Sequence, residues 1–164
     1  MLSNLGNILL FGSIFTTLLI IYFAYLNLKE KNILIGKNLV YLSFFQITFI
    51  ITSFLLLIFA FIFSDFSLLA VYQNSHTAKP IFYKIAGVWG NHEGSLLLWV
   101  NIMVIFSFLF FLFNYKFNKN YSLYTLLVQN ILILGFLIFL ISNSNPFFKI
   151  LPIPSEGLGL NPIL

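Results

Sequence analysis

The chain has 164 residues, of which 60% are hydrophobic and 7% charged, with a mean hydropathy of +1.02. A water-soluble domain carries about a quarter charged residues, so a soluble globular fold is excluded and an integral membrane protein is left. The formal net charge of +4 comes from lysines scattered between apolar segments, which excludes a nucleic-acid-binding patch, and the lack of cysteine excludes disulfides, thiolate metal sites and a thiol nucleophile.

Four apolar runs follow in chain order, 8–26, 39–64, 96–114 and 124–142. Each is about twenty residues long and free of ionisable groups, enough to cross roughly 30 Å of hydrocarbon as a helix. The first run follows residues 1–7, which lack positive charge, and no small-residue cleavage site comes after it, so it reads as a retained helix and not as a signal peptide. The short links predict an all-α, polytopic antiparallel bundle of about four helices, one membrane region over 1–164 with no separate soluble domain. Gln46 and Gln129 fall inside predicted spans, where a polar amide is expected to bond between helices; Asn145 is a further lone polar group in the tail.

Orientation follows from lysine placement. The link between the first two runs holds Lys29, Lys31 and Lys37, and that between the last two holds Lys116 and Lys119. The positive-inside rule puts both links on the cytoplasmic or matrix side. The N-terminus, the loop 65–95 and the tail 143–164 are then outside (N-out, C-out), with Lys79, Lys84 and Lys149 dissenting. Within the outer loop, 65–87 is polar enough for an interfacial connection, and 81–86 is expected to form a short amphipathic helix lying on the membrane. His76, in NSHTAKP, is expected to be a solvated loop residue. The prolines and glycines of the tail rule out regular helix there, and its apolar Pro-Ile-Leu ending suggests a chain that is cut or is continued by another polypeptide.

Between the loop and the third run lies VWGNHEGSLLLWV (88–100), which holds both tryptophans, one of the two histidines and one of the four acidic residues. A helix beginning near Asn91 would put Trp89, His92, Leu96 and Trp99 at about i, i+3, i+7 and i+10, on one stripe. Glu93 stands beside His92, and Gly87, Gly90 and Gly94 allow close approach. An imidazole between indoles suits a flat aromatic ligand, because indole stacks and neutral imidazole can ligate a metal or accept a proton. Tryptophan is also a common anchor at the bilayer surface. Pattern alone favours that structural role and leaves the ligand role open. No zinc spacing, paired-carboxylate site, phosphate loop or nucleophile triad is present, so no catalytic and no metal residue is assigned.

The segment WGNHEGSLLLW (89–99) closely resembles the signature near the start of the CcmF family, the membrane component of cytochrome c haem lyase. SDFSLLAVYQNSHT (64–77) resembles the family's approach to that signature, and SNPFFKILPIPSEGLGLNPIL (144–164) resembles the segment that follows it. The resemblance covers most of the chain from Ser64 onward, whereas the first two runs match only as hydrophobic spans. It implies a multi-pass protein of the bacterial cytoplasmic or mitochondrial inner membrane. It also implies that haem arrives from a CcmE-type chaperone and is joined to apocytochrome c with a CcmH-type thiol protein, so the reacting thiols belong to other chains. The family's His-Pro-Pro and tryptophan-rich WWD segments would follow Leu164, so the resemblance is to an N-terminal part, expected to pair with the remaining segments and not to be catalytic alone. Trp89, His92, Glu93 and Trp99 match family-typical positions and are the candidate haem-handling residues; His76 stands where asparagine is expected and inherits no role.

Two rivals remain. One is a small hydrophobic subunit of a respiratory complex or transporter, against which weighs the lack of a mid-membrane Lys, Glu or Asp in the four runs. The other is a non-catalytic assembly scaffold in which the tryptophans only anchor.

Overall fold

Four long helices carry the apolar runs, and two short ones cap one end of them. The computed structural model describes residues 1–30 and 33–159, without the side chains of 30–37. Lys31, the side chain of Lys37 and the LNPIL end of the tail motif (160–164) therefore lie outside the described residues. The elements are α1 (Leu2–Glu30), α2 (Ile33–Ile62), α3 (Leu69–Asn74), α4 (Ile81–Trp89), α5 (His92–Asn114) and α6 (Lys119–Asn143). Among the described residues there is no named strand; a single antiparallel bridge pairs Leu68 with Lys149.

The helices α1, α2, α5 and α6 are long and apolar enough to span a membrane. They form a closed ring in which α1 packs on α2 and α6, and α5 packs on α2 and α6. Leu10, Ile50, Leu57, Leu97, Val104 and Leu137 fill the half of the core nearer the N-terminus. Ile20, Ala24, Leu39, Phe111, Leu123 and Leu126 fill the other half. Phe11, Phe15, Phe44, Phe106 and Phe136 point outward, as expected where the surrounding solvent is acyl chain.

Lipid supplies no hydrophobic drive between helices, so packing and polar bonds must hold them together. Gln46 supplies such bonds. Its Nε2 donates to Thr17 Oγ1 at 2.7 Å and to Asn130 Oδ1 at 2.9 Å, joining α2 to α1 and α6. Asn130 Nδ2 in turn donates to the Leu126 carbonyl at 2.9 Å. Gln129 does not follow the same expectation. It sits one position off the buried face of α6, and its Oε1 is enclosed with no hydrogen-bond partner.

The end of α2 shows how the short helices are fixed. Ser64 adopts the left-handed region at φ 54°, and the Asp65 and Ser64 amides return to the Ala60 and Phe61 carbonyls at 2.9 and 3.2 Å. This pair of bonds closes the helix. Lys84 of α4 completes the closure, since its buried ammonium donates to Ser64 Oγ at 2.7 Å and to the Ile62 carbonyl at 3.4 Å. A cation at a helix C-terminus is where the helix dipole favours it. The stretch 65–87 is thus more ordered than an interfacial loop, containing α3 and most of α4, and α4 runs three residues past the expected 81–86.

The tail is irregular, as its prolines require, and it is tied down along its length. Ser3 Oγ donates to the Phe147 carbonyl at 2.8 Å, and Asn145 Nδ2 donates to Asn7 Oδ1 at 2.8 Å. The Phe147 ring fills the space a side chain at Gly6 would take. Leu69 N and Ile150 N exchange bonds with Phe148 and Ser67 across the bridge, and Leu158 N donates to the Tyr72 carbonyl at 2.8 Å. The N-terminus, α3, α4 and the tail therefore share one end of the bundle, opposite the end holding Lys29, Lys116 and Lys119.

Candidate functional site at the capped end

The expected stripe of Trp89, His92, Leu96 and Trp99 is broken at Trp89, and the reason is the α4–α5 junction. Trp89 is the last residue of α4, Gly90 ends that helix, and Asn91 caps the next one. Asn91 is extended (φ −109°, ψ 164°), and its Oδ1 accepts from Gly94 N at 2.7 Å. Its Nδ2 donates to the Gly87 and Val88 carbonyls at 2.7 and 2.9 Å. One amide side chain thus satisfies the end of α4 and the start of α5 together. A helix continuous through this point would carry Trp89 in register with His92; the break turns Trp89 onto another element.

The rest of the expected stripe survives. His92, Leu96 and Trp99 stand at i, i+4 and i+7 of α5, continued by Phe106 and Phe113. His92 is exposed, and Trp99 is 61% exposed. Glu93 is one position round from His92, above the buried Leu97, Val100 and Val104, and lies half-buried in the first turn of α5. There its charge opposes the positive end of the helix dipole. Among the described residues, neither ring nitrogen of His92 and neither oxygen of Glu93 has a hydrogen-bond partner, and no group of three His, Cys, Asp or Glu could hold a metal ion.

Trp89, 46% exposed, forms part of the wall of a pocket of about 620 Å³. The other principal walls are Gln73 and Asn74 of α3, Lys79, Tyr83 of α4 and Leu158 of the tail. Lys79 Nζ donates to the Asn74 carbonyl at 2.8 Å, and partial burial lowers its pKa from the ordinary lysine value. The tail wall is held by a carboxylate clasp. Glu156 accepts from Thr77 Oγ1 at 2.7 Å and Thr77 N at 3.0 Å, with Gly157 N at 3.1 Å and His76 Nε2 at 3.9 Å. The Thr77 hydroxyl bond, with the Thr77 and Gly157 amides and nearby His76, brings the Glu156 carboxyl down to about 2. His76 is thus partly exposed, as expected of a loop, and also a member of this clasp. The pocket and the clasp were not anticipated from the sequence, because they join residues about eighty positions apart.

Comparison with known proteins agrees with this architecture. No family model matches the chain. The chain is 47% identical over 112 residues to the cytochrome c-type biogenesis protein CycK of Rhizobium meliloti (strain 1021), a match covering 68% of this chain and 17% of the relative. It is 41% identical over 113 residues to CcmF of Escherichia coli (strain K12), covering 68% and 18%. A third alignment, to CcmF of Haemophilus influenzae, is 32% identical over 168 residues and takes in 100% of this chain and 26% of that one. The fold is that of a solved structure of cytochrome c haem lyase CcmF, with a TM-score of 0.80 over 90% of this chain and 25% of that one, at 23% identity.

Fold and sequence together define a multi-pass membrane protein of the cytochrome c-type biogenesis class. The chain spans between about a sixth and a quarter of the length of the relatives it matches. It belongs to the CcmF (CycK) family, as the resemblance of 89–99 and its flanking motifs implies.

Proposed function

We propose that this chain is part of the membrane core of a cytochrome c haem lyase, with its capped end on the extracytoplasmic face. There it helps receive haem from a CcmE-type chaperone and supports attachment of that haem to apocytochrome c held by a CcmH-type thiol protein. Haem is the cargo in this reading and not a resident group. The remaining segments of a CcmF-type protein supply what these residues lack, including the WWD region.

The observation that carries the reading is the sequence relation to CcmF and CycK proteins, one alignment of which runs the whole length of the chain and so includes 89–99. The chemistry of the capped end supports it. An exposed imidazole, its nitrogens without a hydrogen-bond partner among the described residues, shares a face with an exposed indole, and a second indole borders a pocket close by in sequence. Imidazole can ligate or exchange a proton, and indole offers a flat stacking surface. The lack of cysteine is consistent with thiols that reside on the substrate and its carrier. The lysine asymmetry supports the orientation, because Lys84 is buried within the fold as a helix cap and is no longer a free loop cation.

The test is a His92→Ala, Trp99→Phe double variant, introduced where the native copy is replaced, with covalently haem-stained cytochrome c as the readout. Maturation falls if the pair handles haem. Undiminished maturation with normal protein levels leaves the tryptophans as anchors and overturns the reading.

A further inference from the structure

The capped end carries a cation that the haem-handling reading does not use. Lys79 is half-buried at the wall of the 620 Å³ pocket, with its Nζ pinned to the Asn74 carbonyl at 2.8 Å. An ammonium has three donors, so two remain directed elsewhere. The carboxylate on the neighbouring tail, Glu156, is occupied by Thr77 and Gly157. Among the described residues the only acid–base pair within 4 Å is His76 with Glu156. An anion in the pocket would take up the donors that the Asn74 carbonyl leaves free, as a charge-assisted hydrogen bond.

The other walls describe the anion. The Gln73 amide and Tyr83 hydroxyl have no protein partner among the described residues and can donate to oxygen. Trp89 and Leu158 are apolar and would be wasted on a bare inorganic ion. The volume exceeds what a phosphate alone would fill. The location narrows the choice further: α4 exposes Ile81, Phe82 (85% exposed) and Tyr83 beside the pocket. An amphipathic helix with outward aromatics lies at headgroup level in a bilayer. At that depth the abundant anion attached to an apolar body is the phosphate of a phospholipid.

We infer that the α3–α4–tail pocket binds a phospholipid headgroup, with its phosphate on Lys79 and its glycerol and first acyl carbons against Trp89 and Leu158. The inference needs only that the capped end lies at a bilayer surface. It holds for either leaflet and does not depend on the haem-lyase role.

The experiment uses the full chain with Trp99→Phe, so that Trp89 is the lone indole, solubilised in a nonionic detergent. Short-chain phosphatidylglycerol, inorganic phosphate and haemin are titrated separately while Trp89 fluorescence is followed. A saturable change with the lipid is expected, weakened at least tenfold by Lys79→Gln and retained in Lys79→Arg. It is expected to be unaffected by Lys149→Gln, which removes an exposed lysine at the same end, in the bridge to Leu68. Gly90→Leu is the second variant. Gly90 has an ordinary φ of −78° and borders the pocket, so the new side chain takes up part of it beside Trp89 and should weaken the response with the helix content intact. Equal responses in native and Lys79→Gln protein, or an equal loss with Lys149→Gln, overturn the inference. Inorganic phosphate saturating with the same Lys79 dependence makes the pocket a free-anion site, and a response to haemin alone makes it a cargo site; either result also overturns the lipid assignment.

Discussion

The α-carbon of Gly94 faces the carbonyl oxygen of Val88 so closely that no side chain fits between them. That approach lets α5 start tight against the end of α4, and it makes Gly94 a requirement of the junction. Gly94→Ala should destabilise the bundle by about 1–3 kcal/mol, the usual cost of overpacking. The readout is thermal unfolding in detergent followed by helical circular dichroism. Gly135→Ala serves as the comparison. It faces open space on α6 and should leave stability unchanged or raise it slightly.

Asn91 gives a graded series at the same junction. Asn91→Ala loses the α5 cap and both bonds to α4 carbonyls, and should cost about 0.5–2 kcal/mol, the range for a lost N-cap, toward its upper end. Asn91→Asp keeps an acceptor for Gly94 N but loses the Nδ2 donors to Gly87 and Val88. It should fall between native and alanine. If Asn91→Asp matches the native protein, the α4 bonds carry no weight; if it matches Asn91→Ala, the cap carries none. Trp89 anisotropy in a Trp99→Phe background should drop in the same order as α4 loosens.

Within the membrane, Gln46 links three helices. Gln46→Leu removes its bonds to Thr17 and Asn130 and leaves the Asn130 oxygen buried without that donor. The expected loss is about 0.6–2 kcal/mol, the measured range for such bonds in bilayers, read by titration with a denaturing detergent. Restored stability in Gln46→Leu, Asn130→Leu would show that the abandoned acceptor, more than the lost bond, set the cost.

The tail clasp is sensitive to acid. The Glu156 carboxyl is held at about 2 against an ordinary 4.5. A depressed carboxylate contributes fully above its unfolded value and loses that contribution as pH falls toward its folded value. A spin label at Leu158 should therefore stay immobile above about pH 4.5 and gain mobility as pH falls toward about 2. Thr77→Val removes the hydroxyl donor, the leading cause of the depression, and should shift that gain to higher pH. A label equally mobile throughout would mean that the clasp does not hold the tail.

The long helices were legible because lipid burial needs only unbroken apolar length, and Gln46 stood out because a lone amide in such a run must find a partner. The expected stripe went wrong at Trp89 because periodicity assumes a continuous helix. The start near Asn91 held, since Asn91 caps α5; the miss lay in carrying the register of α5 back to Trp89, which ends the preceding helix. Glu93 was grouped with His92 by adjacency, yet neighbouring residues on a helix point about 100° apart, which puts one toward the core and the other away from it. Lys84 looked like a loop cation, and nothing local reveals that it closes α2 some twenty residues earlier. The Glu156–Thr77 clasp and the pocket it borders depend on the tail crossing α3, a path that no periodicity encodes.

Four crossings return the polypeptide to the bilayer surface it left, so Ser3 and Phe147 can bond at one end. Parity then makes topology a single binary choice for the entire chain. Compartment reporters fused ahead of residue 1 and after residue 159 must agree with each other, and one inserted at 116–118 must give the opposite answer.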